Sequence, residues 1–592
     1  LYVDIRKVAA SLREMLKQSA AGLMGVNIES LNSDKGVISC TGKSMTYAEV
    51  VAQTTSWNIP EPPTLRPRSS FKYVGKDFPR IDLKPKVLGK PIYAIDAEMP
   101  DMLYGVCFET PFIGGLLKSL DSTAAEEQPG VVRVIHEADL IAVVAESRYA
   151  AEMGKSQLKA EWEVPKMWQQ EDIDQLITVG NGPAINVQKE GNAKQIIRVA
   201  GSEGIMASYR SPVGVHAQLE PDGGVALVTD GMVKVIGGTQ SLSKLVARVA
   251  DATGLSEDNI EAQNSYLGGG FGGRIYKQRA ADAARISQLM GRPGQLINDR
   301  EQEFLNGYYR PNNHHVMRAV VKDGRIVAME HEQASAAMYF SNNYPKIVHK
   351  ILGGDFPSTN HGAAIFYPLA NRTASIYDIK LPFHCGVWRA VGTWMNCFPI
   401  ESFIDEIAYK MQKDPITLRL ELLQGEEEQY ARSRRVIGTA RDRSDWNQDK
   451  PEDLGRGFAF CYDRHTIVAA VAEVKIVEGV IRVTKFTHVT DCSIVINPEG
   501  VRTQVEGCIM MGISAALYEE QKIKNGKFVS SNYHQYRVAS LWDTPEIDVI
   551  LLEGRDKPSG AGEPPITVVA PAIANAIFDL TGKRLRNLPL KL

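Results

Sequence analysis

The chain has 592 residues, 44% of them hydrophobic and 23% charged. Enough apolar residues are present to build several packed cores, which excludes a disordered chain, and the length points to two to four domains. A net charge of −3 leaves no basic footprint, so no nucleic-acid partner is expected.

In chain order, Val8, Leu12, Met15, Leu16, Ala20 and Leu23 recur at helical spacing and predict an amphipathic helix over residues 1–25. The proline-rich run Ile59–Arg68 reads as a linker. Short strands and helices alternate from Lys86 to Glu163, and Pro165, Pro183, Pro212 and Pro221 punctuate the entry to a long central region. That region carries Tyr266–Arg274 (YLGGGFGGR), placed between an alternating stretch with Ile260 and Ala262 and a helical one with Ala280, Ala281, Ala284, Ile286 and Leu289. Glycines at this density leave backbone amides open to a large anionic group. The spacing matches neither the dinucleotide fingerprint nor the P-loop, and by itself the run reads equally well as a tight strand–helix turn.

Val387–Gly392 (VWRAVG) precedes a helix bearing Ile400, Phe403, Ile404 and Ile407; alone, Arg389 reads as a structural ion-pair partner. The charged run Glu421–Arg435 reads as solvated surface. Strands are predicted at Thr466–Ile476 and Val480–Val489, joined at Glu478–Gly479. Asp491–Gly507 (DCSIVINPEGVRTQVEG) opens an apolar helix at Asn497–Pro498, which alone reads as a buried, capped helix. Near the end, Ser559–Pro565 (SGAGEPP) holds Glu563 between glycines and prolines, ahead of a helix opening at Pro571. Such a carboxylate is a general base if burial tunes it, or a solvated turn glutamate if not.

The apolar stretch Ile566–Phe578 is shorter than the ~20 residues that span a bilayer, so no transmembrane segment is expected and the chain reads as soluble. Seven cysteines show no paired spacing, which argues against a disulfide framework or a zinc site. The plant-type C-x4-C-x2-C run is also missing, so any iron–sulfur relay is expected on another chain. The overall class is mixed α and β.

Taken together, LGGGFGGR (267–274), WRAVG (388–392), DC-x4-NP (491–498) with QVEG (504–507), and GAGEPP (560–565) resemble the molybdenum-binding subunit of the xanthine dehydrogenase and aldehyde oxidase family. Their order is most similar to its isoquinoline 1-oxidoreductase-like branch. His216–Pro221 (HAQLEP) resembles the family's H-A-x-M-E-P turn, and residues 89–111 resemble its small hammerhead domain. The implied fold is α+β: a small α/β hammerhead domain at 87–163 and two large, elongated molybdenum-cofactor-binding α+β domains at 164–435 and 436–592. Residues 1–86 would complete the second of these.

The resemblance implies that Glu563 is the catalytic base and that Arg389 lines the substrate pocket, stabilising negative charge on the substrate. Gly269, Gly270, Phe271, Gly272, Gly273 and Arg274 would bind the cofactor, with Gln504, Gly507, Gly560, Ala561 and Gly562. Molybdenum would be held through a pterin dithiolene, with no protein metal ligands, in the cytosine dinucleotide form that bacterial habit in this family suggests. The reaction implied is oxidation of an aldehyde or an N-heterocyclic C–H with oxygen from water; a non-catalytic cofactor-binding scaffold is the alternative. The partners implied are a small subunit carrying two [2Fe-2S] clusters and a cytochrome or other electron acceptor. The family's G-Q-G segment precedes what is here Leu1, so a separate chain or processed piece is expected to supply it, and a start at Leu1 leaves periplasm and cytoplasm both open. Ile275, Val391 and Gly214 stand where purine-oxidising members carry glutamate, phenylalanine and glutamine, which argues against xanthine as substrate.

Overall fold

The computed structural model describes residues 1–137, 139–276, 279–338, 358–554 and 557–592, in two compact units. The first unit joins Leu1–Phe78 to Cys492–Arg502 and Leu551–Ser559. Its helix Tyr2–Met24 ends at Gly25, whose left-handed φ of 64° closes the last turn. Strands Asn32–Asp34, Val37–Cys40 and Lys43–Thr46 form an antiparallel sheet, and Thr46 with Glu49 makes the capping box that opens helix Tyr47–Gln53.

Leu16, Ala20 and Met24 pack with Leu31, Ile38 and Val50, whereas Val8 and Leu12 remain 69% and 54% exposed. The helix is therefore where its periodicity predicts, but only the C-terminal half of the apolar stripe is used within this unit. The proline-rich run is not a free linker. Arg6 donates to Arg66 O at 2.9 Å, and Arg66 donates to Ser33 O at 2.8 Å.

The second unit comprises Pro79–Asp491, Thr503–Ile550 and Gly560–Leu592. One sheet runs in the order Ile260–Asn264, Met232–Gly237, Gly223–Thr229, Gly294–Ile297, Leu103–Cys107, Leu140–Ala145, Val131–Glu137. Strands on both sides of the expected boundary at 163–164 thus share one sheet. Helix Arg279–Met290 covers it, burying Ala280, Ala283, Ala284 and Ile286 with Val233, Val235 and Leu296. A five-stranded sheet runs Ile205–Ser211, Asn313–Lys322, Arg325–Ala336, Arg372–Ile379, Ala184–Glu190.

The third large sheet contains Gly455–Asp463, Thr466–Val477, Val480–Asp491 and Glu546–Leu551 in that order. Its central hairpin turns at Glu478–Gly479, both with positive φ, as expected from the sequence. Helix Val569–Thr581 lies directly on its first strand: a Cβ at Gly457 would stand 2.0 Å from Ala576 N. By length and composition Pro564–Thr581 could cross a membrane, but here it is mostly buried as a core element.

In the charged run Glu421–Arg435, Glu426, Glu427 and Glu428 are exposed as expected, but Arg432 and Arg435 depart from the surface reading. Arg432 Nη2 and Arg435 Nη2 meet the two oxygens of Asp491 at 2.8 and 2.7 Å, and the Asp491 side chain is fully buried. These arginines neutralise a buried charge at the end of a strand. Removing it takes a charged partner from both guanidinium groups, so Asp491→Ala is expected to lower the unfolding free energy by about 1–3 kcal/mol. Urea denaturation of the purified protein checks this, and a change under about 1 kcal/mol would return the run to the surface class.

Candidate active site

Four segments distant in sequence enclose one cavity of about 610 Å³ in the second unit. Its lining includes Phe271 and Gly272, Trp388 and Arg389, Gln504 and Gly507, and Gly562 and Glu563. Gln504 and Gly507 lie on helix Pro498–Leu517, the other segments are turns or element ends, and three non-glycine lining residues stand in the left-handed region. Phe271 has φ 51°, Val391 has φ 51° and Arg464 has φ 49°. Left-handed backbone is costly for such residues and gathers at functional sites, where surrounding structure over-determines it.

The glycine loop is held from behind by the turn His216–Pro221. Glu220 accepts the amides of Gly268 and Ala94 at 2.6 and 3.0 Å, and His216 Nε2 lies 2.7 Å from Val387 O. A Cβ on Gly272 would sit 1.9 Å from that same oxygen, so the loop and the segment before Trp388 meet backbone to backbone. The Gly272 amide donates to Gln240 Oε1 at 3.0 Å, so it is already engaged within the protein.

Arg274 departs from the expected role. It is 2% exposed, turns into the protein and pairs with Asp222 at 2.6 Å, outside the cavity lining. Gly269, Gly270 and Gly273 shape the loop without lining the cavity, and Gly560 and Ala561 precede the lining residues Gly562 and Glu563.

Arg389 lines the cavity but spends its donors on protein. Its Nε donates to Gly562 O at 2.8 Å, and its Nη2 donates to Gln504 Oε1 at 2.9 Å. The guanidinium thereby ties the loop carrying Glu563 to helix Pro498–Leu517. Glu563 itself caps the short turn Pro564–Val568, whose buried prolines stiffen its exit.

Sequence reasoning missed Gln240, Thr503 and Arg464 among the lining residues. Gln240 follows Gly237–Gly238 at a strand–helix junction, a weaker copy of the glycine-loop pattern that could have flagged it. Nothing local marks Arg464. It sits with His465 in the two-residue turn between paired Asp463 and Thr466, and its Nη1 forms an ion pair with Glu563.

Behind it, His361 Nδ1 stands 3.4 Å from Arg464 Nη2, and His361 Nε2 stands 3.1 Å from Asp463 Oδ1. Arginine can only donate, so Nδ1 accepts and Nε2 carries the proton toward Asp463. Burial, helped by Arg464, lowers the His361 pKa to about 4, which keeps this ring neutral at pH 7. Burial raises the Asp463 carboxyl to about 6, and its Oδ2 finds no hydrogen bond among the described residues.

A carboxyl whose folded pKa lies above its unfolded value binds more protons when folded. Its stabilising contribution is complete below about pH 4 and is lost as pH rises to about 6. Asp463→Asn is expected to gain melting temperature relative to the parent across that window, as read by paired thermal scans. A difference that stays flat from pH 4 to 7 would contradict the assignment.

The surroundings suit a large organic cofactor that brings its own metal ligands. The lining includes amide side chains at Gln240 and Gln504, a hydroxyl at Thr503 and glycines at 507 and 562, and its volume is in the usual ligand range. Among the described residues no three His, Cys, Asp or Glu side chains converge to hold a metal directly.

Comparison with known proteins agrees with this geometry. The molybdopterin cofactor-binding domain family matches twice, over residues 179–423 and 420–545. The chain is 28% identical to a membrane-bound aldehyde dehydrogenase [pyrroloquinoline-quinone] of Gluconacetobacter polyoxogenes, over 99% of this chain and 81% of that one. It is 27% identical to isoquinoline 1-oxidoreductase subunit beta of Brevundimonas diminuta, over 100% and 82%. The fold matches quinoline 2-oxidoreductase from Pseudomonas putida 86 with a TM-score of 0.76 at 16% identity, covering 88% of this chain and 97% of that one.

Proposed function

This chain belongs to the molybdopterin cofactor-binding family of oxidoreductase subunits, and we propose that it is the large subunit of a molybdenum hydroxylase. The substrate class is an aldehyde or an N-heterocycle, and the oxygen comes from water. The observation that carries this reading is the single cavity uniting Phe271–Gly272, Arg389, Gln504–Gly507 and Gly562–Glu563. The relatives named for aldehyde and isoquinoline oxidation support the two substrate classes.

Gly272, Gln240, Gln504, Gly507 and Gly562 would hold the pterin, within the domains proposed at 164–435 and 436–592. When bound, the molybdenum–pterin group supplies the two-electron chemistry that these side chains lack. Ile275, Val387, Trp388 and Val391 form the apolar part of the wall and would orient a planar substrate. Glu563 would take the proton released as oxygen is delivered, and Arg389 would keep the Glu563 loop in place through Gly562 O.

A cytosine dinucleotide form of the pterin is part of the proposal. So are a small partner subunit with two [2Fe-2S] clusters and a separate segment bearing the G-Q-G contact. Metal analysis of the purified complex, with the chains separated, tests it. Molybdenum travelling with this chain and iron with a smaller one is the expected outcome. A correctly assembled complex without molybdenum would overturn it, whether or not a quinone cofactor took its place.

A further inference from the structure

Two guanidinium groups and one carboxylate line the cavity, and the two arginines are not equivalent. Arg389 is 8% exposed and committed to the carbonyls and amide oxygen of Gly562 and Gln504. The Arg464 side chain is 40% exposed and reaches Glu563, itself 40% exposed. A two-residue hairpin turn with positive φ at both positions favours Asn-Gly, yet this one holds Arg464 at 49° and His465 at 67°. The strain is tolerated where it aims a guanidinium into the cavity, and His361 supports that guanidinium from behind.

This ion pair turns the Glu563 carboxylate toward Arg464 and keeps it occupied there. Apart from Glu563, the two positive groups face a cavity with no anion among its lining residues. A ligand bearing its own carboxylate resolves both difficulties, because an arginine fork matches a carboxylate with two parallel hydrogen bonds. We propose that Arg464 is the receptor for a carboxylate carried by an aromatic ligand, and that this carboxylate displaces Glu563 from the ion pair. The exchange frees Glu563 while leaving Arg464 neutralised. It rests on the reading of Glu563 as the base, and the neighbouring Phe271, Ile275, Trp388 and Val391 fit an aromatic body.

The test is a calorimetric titration of the purified complex with benzoate and with uncharged benzamide, which needs no turnover. Benzoate is expected to bind at least about tenfold tighter than benzamide, and Arg464→Gln is expected to abolish that difference. Glu563→Gln should strengthen benzoate binding by about tenfold, because it removes the competing carboxylate. Equal binding of the two probes by the parent, or benzoate binding that is unchanged or weaker in Glu563→Gln, would overturn the exchange. Should Arg464→Gln lose its fold, the Glu563→Gln titration decides alone.

Full turnover by Glu563→Gln would remove the base assignment while the titrations still judged the receptor. The carboxylate arrives on the substrate or arises as the product of aldehyde oxidation, and kinetics separate the two. A kcat/KM preference of about tenfold for a pyridinecarboxylate over its carboxamide, lost in Arg464→Gln, marks the substrate. Equal values for that pair, with benzoate inhibition of benzaldehyde oxidation relieved in Arg464→Gln, mark the product.

Discussion

Glu563→Gln is expected to keep its cofactor and its fold while losing about 10²–10⁴-fold in kcat, the usual contribution of a positioned general base. Glutamine has the same shape, so the backbone anchors persist: Arg389 still holds Gly562 O, and Pro564 and Pro565 stay buried. The ion pair with Arg464 is lost, but both side chains are 40% exposed, and a pair so open to water is worth under about 1 kcal/mol. Loss of rate without loss of stability or molybdenum is therefore the signature. Steady-state assays against a dye acceptor, normalised to molybdenum per chain, read it directly. Near-normal turnover at normal metal content would remove Glu563 from the chemistry and favour the scaffold alternative.

Gly272→Ala is expected to have the second large effect, on assembly of the site. A Cβ there would meet Val387 O at 1.9 Å, and the residue's φ of +107° is one that L side chains rarely adopt. Val387 cannot easily give way. Its oxygen lies 2.7 Å from His216 Nε2, and its amide donates to Tyr276 Oη at 2.8 Å. The loop must move instead, at about 2 kcal/mol or more from combined overpacking and backbone strain. Most chains should then lack molybdenum. Gly560→Ala is the control: apart from its chain neighbours, no atom of the described residues lies within 4 Å of its Cβ and its φ carries no strain, so metal content should match the parent. Equal metal loss in both variants would show that glycine is needed for contact with the cofactor and not for contact with Val387.

These two glycines mark the border between what local sequence carries and what it does not. Both belong to family-like motifs and look alike in sequence, yet only one is pressed against another backbone. The elements themselves were legible because their signals are local. Apolar spacing placed the helices at Tyr2–Met24 and Arg279–Met290, and alternation with a Glu478–Gly479 break placed the long hairpin. That the motif-bearing segments would meet followed from the resemblance of the motifs, taken together, to the molybdenum-binding family, since each motif alone also read as an ordinary turn, cap or ion-pair partner.

The role of each side chain was decided only in three dimensions. Arg274 stands in the glycine loop but faces Asp222, and Arg389 lines the cavity but is occupied by Gly562 and Gln504. Arg432 and Arg435, in a run that reads as solvated, neutralise buried Asp491 from more than fifty residues away. Arg464 has no local pattern at all and gains its meaning from Glu563, 99 positions later. A charged side chain is long and flexible, and the energy of placing it depends on burial and on the partner it meets. Sequence therefore determined the elements and the chemistry available to them, whereas tertiary packing decided which charge faces which.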